Sequence, residues 1–364
     1  MATRRGRFSK DSKKSAFGHK LVLAVVVGTA GLLLAAAVYV YWVWHQPLNP
    51  GSETFVVKPG TGLRALARQL YEREIVTEPH TIRWIGYFTG RSRQLKSGEY
   101  RFRPGITAAE LLDQIVAGRV VEYPLIFVEG WNFRQMMKAI ETAPKLTLTL
   151  SGLSSREVMA RLGYTDLHPE GRFFPDTYYY SVGHTDAAIL ARAFERMQAH
   201  LQYEWDNRAP DLPLATIDQA LVLASIVEKE TGRADERRMI AGVFTNRLRK
   251  GMKLQSDPTV IYGMGAGFDG DIRLKDLRND TPYNTYTRVG LPPTPIAMPG
   301  RQSLAAALHP ESTDALYFVS RGDGSHVFSS TLEQHNAAVI KYQLGGKPRT
   351  PTPAANKPTG ARSP

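Results

Sequence analysis

Apolar and polar positions alternate along this chain with two different periods, and three segments change from one period to the other at a glycine. Residues 55–60, 99–105 and 125–130 read FVVKPG, EYRFRPG and LIFVEG, which is typical of short strands that run into turns. A helical period follows each of them, over 63–71, 108–117 and from 132 onward. Thr107 with Glu110, and Asn132 with Gln135, have the spacing of capping boxes at two helix starts. The pattern predicts an α+β fold.

The later part of the chain is predominantly helical in period. Helices are predicted over 132–141, 154–162, 185–205, 216–231, 234–250 and 302–308, and short strands near 315–320 and 326–329. Residues 252–300 are rich in Gly, Pro, Asn and Asp, so we expect long, ordered and functional loops there. We therefore expect a small α+β module over 54–122, with a further helix at about 81–88, and a larger mixed α/β domain over 123–344.

One segment is apolar on every side. Residues 21–43 contain no charged residue, and 23 residues at about 1.5 Å each cover the roughly 30 Å hydrocarbon core of a bilayer. Tyr39, Tyr41, Trp42 and Trp44 lie at its C-terminal end, as in an interfacial aromatic belt. We predict a single transmembrane helix over 21–43, because the apolar run is too long for a cleaved signal peptide, which is the alternative.

Most of the positive charge lies in the two ends of the chain. The formal net charge is +12, of which residues 1–20 carry +6 and residues 345–364 carry +4. The part between is close to neutral, so it lacks the basic surface that nucleic-acid binding requires. The basic residues 1–20 precede the apolar span, which predicts a cytoplasmic tail and an external domain. Residues 345–364 contain five prolines and few apolar residues, which predicts a disordered tail.

Glu228 is the first candidate for acid/base chemistry. On the predicted helix 216–231 it falls between Ile217, Leu221 and Ala224, on an apolar stripe, whereas Lys229 falls beside Ser225 on the polar side. Desolvation penalises the charged form of a carboxyl group, which suits a group that donates a proton and takes it back. Glu230 is a rival that the spacing does not separate from Glu228.

Less specific interpretations remain open for these polar residues. Glu228 could be an ordinary last-turn glutamate paired with Arg233 or Arg237, and Asp176 or Asp257 could be turn or capping residues. The chain has no cysteine, its nine histidines show no metal-ligand spacing, and no glycine-rich phosphate loop is complete. We therefore expect neither a metal nor a cofactor.

Several strings of residues resemble those of the endolytic murein transglycosylase family, the MltG/YceG-like proteins. Residues 224–231 read ASIVEKET, and the strings EGRFFPDTY, NRL, LQSDPTVIYG, YNTY and GLPP occur at 170–178, 246–248, 254–263, 283–286 and 290–293. Strings of this length in one order are far more specific than a single short motif. The resemblance covers about residues 45–340. One position, Arg172, differs from the apolar residue more usual in the family.

The resemblance implies a peptidoglycan lytic transglycosylase. It implies that Glu228 is catalytic, that 54–122 is a LysM-like glycan-binding module, and that 123–344 is the catalytic domain. It also implies cleavage of MurNAc–GlcNAc β-1,4 bonds within nascent glycan strands to give 1,6-anhydroMurNAc ends, which terminates strand elongation. Side chains expected to bind the sugar are Gln255, Asp257, Tyr283, Asn284, Tyr286 and Asp176.

The same resemblance implies where the protein works. We expect the inner membrane, a periplasmic catalytic domain, and penicillin-binding peptidoglycan synthases as partners, with no nucleic acid. The alternative is a non-catalytic, membrane-anchored peptidoglycan-binding scaffold for a synthase complex. A pyridoxal-phosphate lyase is disfavoured, since it requires a Schiff-base lysine and a phosphate cup, which the sequence does not suggest.

Overall fold

The protein consists of two compact units. The computed structural model describes residues 11–345; the rest of the predicted basic tail, 1–10, and of the predicted disordered tail, 346–364, lies outside the described residues. The first unit holds the residues up to Glu122 together with Ser181–Gly183, and the second holds Tyr123–Tyr180 and the residues from His184 onward. Helices and short antiparallel strand pairs build both units, which confirms the predicted mixed α+β class.

A long helix, α1 (Asp11–His45), begins the first unit. Its segment Lys20–His45 is long and apolar enough to cross a membrane. Side chains along this segment are exposed, including Tyr41 and Trp42, whereas Trp44 is only 7% exposed and belongs to the hydrophobic core of the unit. The structure is therefore consistent with the predicted anchor.

The rest of the first unit packs around a two-stranded sheet. Strands β1 (Phe55–Val57) and β2 (Gly98–Tyr100) pair antiparallel. Helices α2 (Leu63–Glu72) and α3 (Pro79–Phe88) lie between them in sequence, and α4 (Ala108–Ala117) follows. The predicted capping box of α4 is confirmed, since the side chains and backbone amides of Thr107 and Glu110 bond reciprocally. A LysM-like identity for this unit stays a prediction.

The second unit contains the helices that position the candidate site. Its strands are β3 (Tyr123–Ile126) with β4 (Thr177–Tyr180), and β5 (Tyr317–Ser320) with β6 (His326–Ser329), both pairs antiparallel. Its helices are α5 (Phe133–Glu141), α6 (Ser155–Arg161), α7 (Asp186–Asp206), α8 (Ile217–Glu230), α9 (Arg237–Arg249), α10 (Asp257–Met264), α11 (Leu274–Arg278), α12 (Arg301–Leu308) and α13 (Leu332–Tyr342).

Most predicted elements of this unit are confirmed, and the exceptions have local causes. The six predicted helices correspond to α5 to α9 and α12. The prediction of long loops over 252–300 was wrong in part, because α10 and α11 lie there. Pro258 suits the first turn of α10, where its missing N–H costs no hydrogen bond. Strand β4 and helix α13 were not predicted.

Helix α8 is the centre of the larger core. Every residue from Ala220 to Val227 is buried, and the helix packs against α7, α9 and α12. The expected polar position of Ser225 was wrong: the side chain is fully buried, donates to the Val222 carbonyl and accepts from the Ile296 N–H. Because α8 is enclosed on all sides, its last turn is held firmly in place.

Candidate active site

In the last turn of α8, the side chains of Glu228, Lys229 and Glu230 point in three different directions, because successive residues of a helix are rotated by about 100°. The side chain of Glu228 is 6% exposed. Lys229 is exposed, and its Nζ donates to the Gly130 carbonyl at 3.3 Å. Glu230 turns away from both and accepts a short hydrogen bond from the Ser256 hydroxyl. The two glutamates that the sequence left as rivals therefore occupy different surroundings.

Two polar groups from other segments contact the Glu228 carboxyl group at the C-terminal end of α8. The backbone N–H of Gly300 donates to its Oε2 at 2.9 Å. Gly300 is the N-cap of α12, so the positive end of that helix faces the carboxyl group. Arg237 lies on the other side, with 3.7 Å between its Nη2 and Oε1 of Glu228. The geometry fixes the carboxyl group in one orientation.

Arg237 is also the structural partner that the sequence offered for Glu228. The ion pair is present but long, and Nη1 of Arg237 donates to the side-chain oxygen of Gln302 at 2.5 Å. The buried Nε of Arg237 has no hydrogen-bond partner in the described part of the chain. Arg233, the other suggested partner, pairs instead with Asp235 at 2.6 Å. The long ion pair to Arg237 is compatible with a catalytic role for Glu228.

A second carboxyl group, that of Glu129, lies beside Glu228 and was missed by the sequence analysis. A Cβ atom built on Gly300 would lie 1.8 Å from Oε1 of Glu129, so the carboxyl group rests on the Gly300 backbone. Partial desolvation against the neighbouring residues raises the pKa of Glu129 above its ordinary value, and the Glu228 carboxylate raises it further. Glu129 itself is exposed, so it presents a carboxyl group to a ligand next to the buried Glu228.

Two backbone hydrogen bonds bring Glu129 to this place. The Gly130 N–H donates to the Met298 carbonyl at 2.9 Å, and the Met298 N–H donates to the Trp131 carbonyl at 2.7 Å. The segment after β3 thus runs along the segment before α12. In the sequence, Glu129 appeared only as part of the string LIFVEG, which we interpreted as a strand and turn. Nothing in that string indicates that it hydrogen-bonds to the segment around Met298.

A first cavity of about 890 Å³ lies beside the last turn of α8, and neither Glu228 nor Glu129 is among the residues that line it. Its wall includes Gly130 and Lys229. A Cβ atom built on Gly130, whose φ is +76°, would lie 3.9 Å from Cγ of Glu228. Glu228 therefore lies directly behind the rim of this cavity, which has the size of a typical small-molecule site.

Glu170 lies in the wall of the first cavity and is a second residue that the sequence analysis did not select. Its side-chain oxygens accept from the Phe133 N–H at 3.0 and 3.2 Å, and Oε2 accepts from the Tyr262 hydroxyl at 3.0 Å. Burial raises the pKa of Glu170 to about 7. The motif EGRFFPDTY contained this residue, but its local spacing gave no sign of burial.

A second cavity of about 520 Å³ lies on the Glu230 side of the helix. Gln255, Asp257 and Tyr286 line it, and the Tyr286 hydroxyl donates to Oδ1 of Asp257 at 2.5 Å. Burial raises the pKa of Glu230 to about 7, and the nearby Asp257 adds to the effect. Gln255 adopts the left-handed backbone region, with φ +51°, which a non-glycine residue adopts only under local constraint.

The remaining predicted site residues are dispersed. Tyr283 lines the first cavity, and its hydroxyl lies 2.8 Å from the Thr294 hydroxyl. Asn284 is 1% exposed, and its Nδ2 donates to the carbonyls of Asp276, Leu277 and Asn279. Asp176 pairs with Arg196 at 2.6 Å and lines neither of the two cavities. The site roles of all six predicted sugar-binding residues stay predictions.

Comparison with known proteins supports one family for nearly the whole chain. The model of the YceG-like family matches residues 55–341. A Bacillus subtilis (strain 168) protein named endolytic murein transglycosylase is 30% identical over 324 residues, which cover 82% of this chain and 87% of that protein. A Streptococcus pneumoniae (strain R6) protein of the same name is 31% identical over 180 residues, 48% of this chain and 32% of its own.

A solved structure shares the fold. The crystal structure of a YceG-like protein from Listeria monocytogenes, at 2.6 Å, superposes with a TM-score of 0.52 at 29% sequence identity. The match covers 79% of this chain and all of that one. The resemblance noted from the sequence strings is thereby confirmed.

Proposed function

The chain belongs to the YceG-like family, and on that premise we propose that it is an endolytic lytic transglycosylase of peptidoglycan. Its substrate is the β-1,4 bond between MurNAc and GlcNAc inside a glycan strand, and its product is a 1,6-anhydroMurNAc end. The activity named for the relatives supports the reaction class. Glu228 is the proposed catalytic acid and base.

The observation that carries this proposal is the setting of the Glu228 carboxyl group. It is almost fully enclosed, it is fixed by the Gly300 N–H, and it lies behind the rim of a cavity large enough for sugar rings. A general acid needs a fixed position and a dry environment, because both strengthen proton transfer at one atom. We propose that a sugar bound in this cavity reaches Glu228 past Gly130, at which a Cβ atom would lie 3.9 Å from Cγ of Glu228.

The proposed reaction uses one carboxyl group twice. The Glu228 carboxylic acid protonates the glycosidic oxygen as the bond from that oxygen to C1 of MurNAc breaks. The resulting carboxylate then removes the proton from the C6 hydroxyl of the same MurNAc, and the C6 oxygen forms a bond to C1. The proton returns to Glu228, no water is consumed, and the nucleophilic carboxylate of ordinary retaining glycosidases is not needed.

Glu129 has a supporting role in the same proposal. Positive charge develops at C1 and the ring oxygen in the transition state, and a nearby carboxylate stabilises it. Glu129 is the carboxyl group beside Glu228 that remains exposed. In the same proposal Gln255, Asp257, Tyr283 and Tyr286 bind the flanking sugars from the two cavities, and neither a metal nor a cofactor takes part.

The apolar part of α1 suits a protein that acts beside strand synthesis. We propose that α1 anchors the chain in the inner membrane with its N-terminus in the cytoplasm, so that the part of the first unit after α1 and the whole second unit lie in the periplasm. Penicillin-binding synthases of the elongation machinery are the partners that fit this location.

Mass spectrometry of the products tests the proposal. Full-length protein in detergent is incubated with peptidoglycan strands, and the released fragments are analysed over time. We expect 1,6-anhydroMurNAc ends, with fragments of intermediate length appearing early because cleavage is internal. Reducing MurNAc ends would mean hydrolysis instead, and unchanged strands that still co-sediment with the protein would favour the non-catalytic scaffold.

A further inference from the structure

Helix α3 of the first unit carries aromatic side chains on the face that points away from the unit's core. Ile82 is 3% exposed, and a Cβ atom on Gly86 would lie 2.6 Å from Cδ2 of Leu63, so these two positions form the packed face. Trp84, Tyr87 and Phe88 are 59%, 70% and 80% exposed. Their i, i+3, i+4 spacing places them together on the opposite face.

Two arginines flank this aromatic face. Arg64 of α2 and Arg83 of α3 line a shallow cleft of about 290 Å³ together with Leu63, Trp84 and Tyr87. Neither arginine forms an ion pair within the described residues. Arg83 Nη1 also lies 3.5 Å from Nδ1 of the exposed His80. Exposed aromatic rings grouped on one helix face mark a contact surface, and guanidinium groups beside them match a surface that is apolar on one side and anionic on the other.

The structure also places α3 next to the end of the candidate membrane span. Helix α1 packs against α3 and α4, and Trp44 of α1 and Ile82 of α3 line one small pocket of about 150 Å³. The chain that leaves α1 is tied to the unit, because the Leu48 N–H donates to the Ile106 carbonyl at 2.8 Å and the Gly105 N–H donates to the Leu48 carbonyl at 2.8 Å. The packed part of the first unit that follows α1 therefore begins directly at the end of the apolar span.

From these contacts we infer that the face of α3 formed by Trp84, Tyr87 and Phe88 lies in the interfacial region of the bilayer that α1 crosses. Tryptophan and tyrosine rings prefer this region, where one edge is apolar and the other is wet. Arg64 and Arg83 would then meet lipid phosphates. The ten-residue helix, about 15 Å long, acts as a second attachment beside the span. The inference rests on the proposed anchor but not on the chemistry of Glu228.

The absence of cysteine in the chain allows a direct test. Single Tyr87→Cys and Phe88→Cys variants of the full-length protein are labelled with a nitroxide and reconstituted in vesicles of phosphatidylethanolamine and phosphatidylglycerol. Collision of the label with oxygen, which partitions into lipid, is compared with collision with a water-soluble nickel chelate. Tyr41→Cys at the end of the span is the positive control. Tyr71→Cys, 51% exposed on α2 of the same unit, is the matched control.

We expect the oxygen-to-nickel ratio at positions 87 and 88 to be several-fold higher than at position 71 and close to that at position 41. Equal, water-like ratios at 71, 87 and 88 would overturn the inference, as would a water-like ratio at 41. Protection of position 87 from nickel only after soluble glycan strands are added would assign this face to sugar instead. Strand cleavage by the same samples reports separately on the proposed function.

Discussion

Oε2 of Glu228 lies 2.9 Å from the backbone nitrogen of Gly300, although the two residues are 72 positions apart in the sequence. The bond connects the end of α8 to the start of α12, and these two helices pack against each other over their length. The Glu129 carboxyl group lies against the Gly300 backbone, in the space that a Cβ atom would occupy. One glycine thus sets the positions of both carboxyl groups in the candidate site.

Adding a methyl group at Gly300 should therefore disturb the site. In a Gly300→Ala variant, Cβ would lie 1.8 Å from Oε1 and 2.3 Å from Cδ of Glu129, so that side chain must move. A displacement of about 1 Å near reacting groups can lower the rate by about a hundredfold. We expect kcat/KM for strand cleavage to fall by at least about tenfold, with the circular dichroism spectrum unchanged.

Gly62→Ala is the matched control for this variant. Gly62 is also a helix N-cap, with φ −79° and ψ 164° against −76° and 172° at Gly300, and an added Cβ there meets nothing within 4 Å. We expect wild-type cleavage from it. Wild-type kcat/KM in Gly300→Ala would show that the contact between Glu129 and Gly300 is unimportant for the reaction.

The Glu129→Gln substitution should alter the pH profile of cleavage. The Glu228 carboxylate raises the pKa of Glu129, so the last proton leaves this pair of carboxyl groups at a higher pH than it would leave one of them alone. Removing the charge of Glu129 lets that proton leave at lower pH. In Glu129→Gln we therefore expect the alkaline limb of the kcat/KM profile to move to lower pH, by up to about one pH unit. We also expect the maximum value of kcat/KM to fall less than it does in Glu228→Gln. An unmoved limb would contradict the proposed coupling.

The buried Glu230 carboxyl group should make folding stability depend on pH. Its pKa in the folded protein is about 7, raised from 4.5, so its contribution is fully present below about pH 4.5 and is lost as the pH rises through 7. In Glu230→Gln, the free energy of unfolding should fall less between pH 5 and 8 than in the wild type, by at most about 3 kcal/mol, and the melting temperature should change in the same direction. Glu195→Gln, an exposed change on α7, should keep the wild-type slope. An equally steep slope in both variants would mean that Glu230 is ionised throughout.

Asn284 allows structural and substrate-binding roles to be separated. Its buried Nδ2 donates to the carbonyls of Asp276 and Leu277 in α11 and of Asn279 just after it. Asn284→Ala therefore removes the side-chain donor from all three, and of these the Asp276 carbonyl still accepts from the Asn279 N–H. We expect the unfolding free energy to fall by about 3 kcal/mol in thermal or urea unfolding. Tyr286→Phe removes only the hydrogen bond to Asp257 and serves as the comparison. Wild-type stability of Asn284→Ala would contradict the structural role.

The sequence predicted those features that depend on neighbours along the chain. The capping boxes at Thr107 and Asn132 formed as expected, since they require only residues three apart. At the start of α8 only half of such a box is present: the Thr216 hydroxyl accepts from the Gln219 N–H, but the Gln219 side chain accepts from the Ala215 N–H. The apolar stripe around Glu228 was visible for the same reason and agrees with its low exposure.

Features created by pairing across the chain were not predictable in this way. Strand β4 consists of residues that favour strands, but it is only four residues long and is defined by its pairing with β3, about fifty residues earlier. The positions of Glu129 and Glu170 depend on contacts with Gly300 and Tyr262 that no local pattern shows. Burial of Glu170 and Glu230 also arises only when distant segments enclose them, so the sequence could rank neither as a titrating group near neutral pH.

Three carboxyl groups of the second unit could in principle exchange a proton with a bound glycan, and their separate replacement tests the central claim most directly. Glu228→Gln, Glu170→Gln and Glu230→Gln are compared as folded, full-length proteins, and the release of 1,6-anhydroMurNAc ends is measured by mass spectrometry. We predict that Glu228→Gln lowers the rate by at least about a hundredfold and that each of the other two retains a measurable fraction of it. Near-normal release by Glu228→Gln, with activity lost in Glu170→Gln or Glu230→Gln, would contradict the assignment.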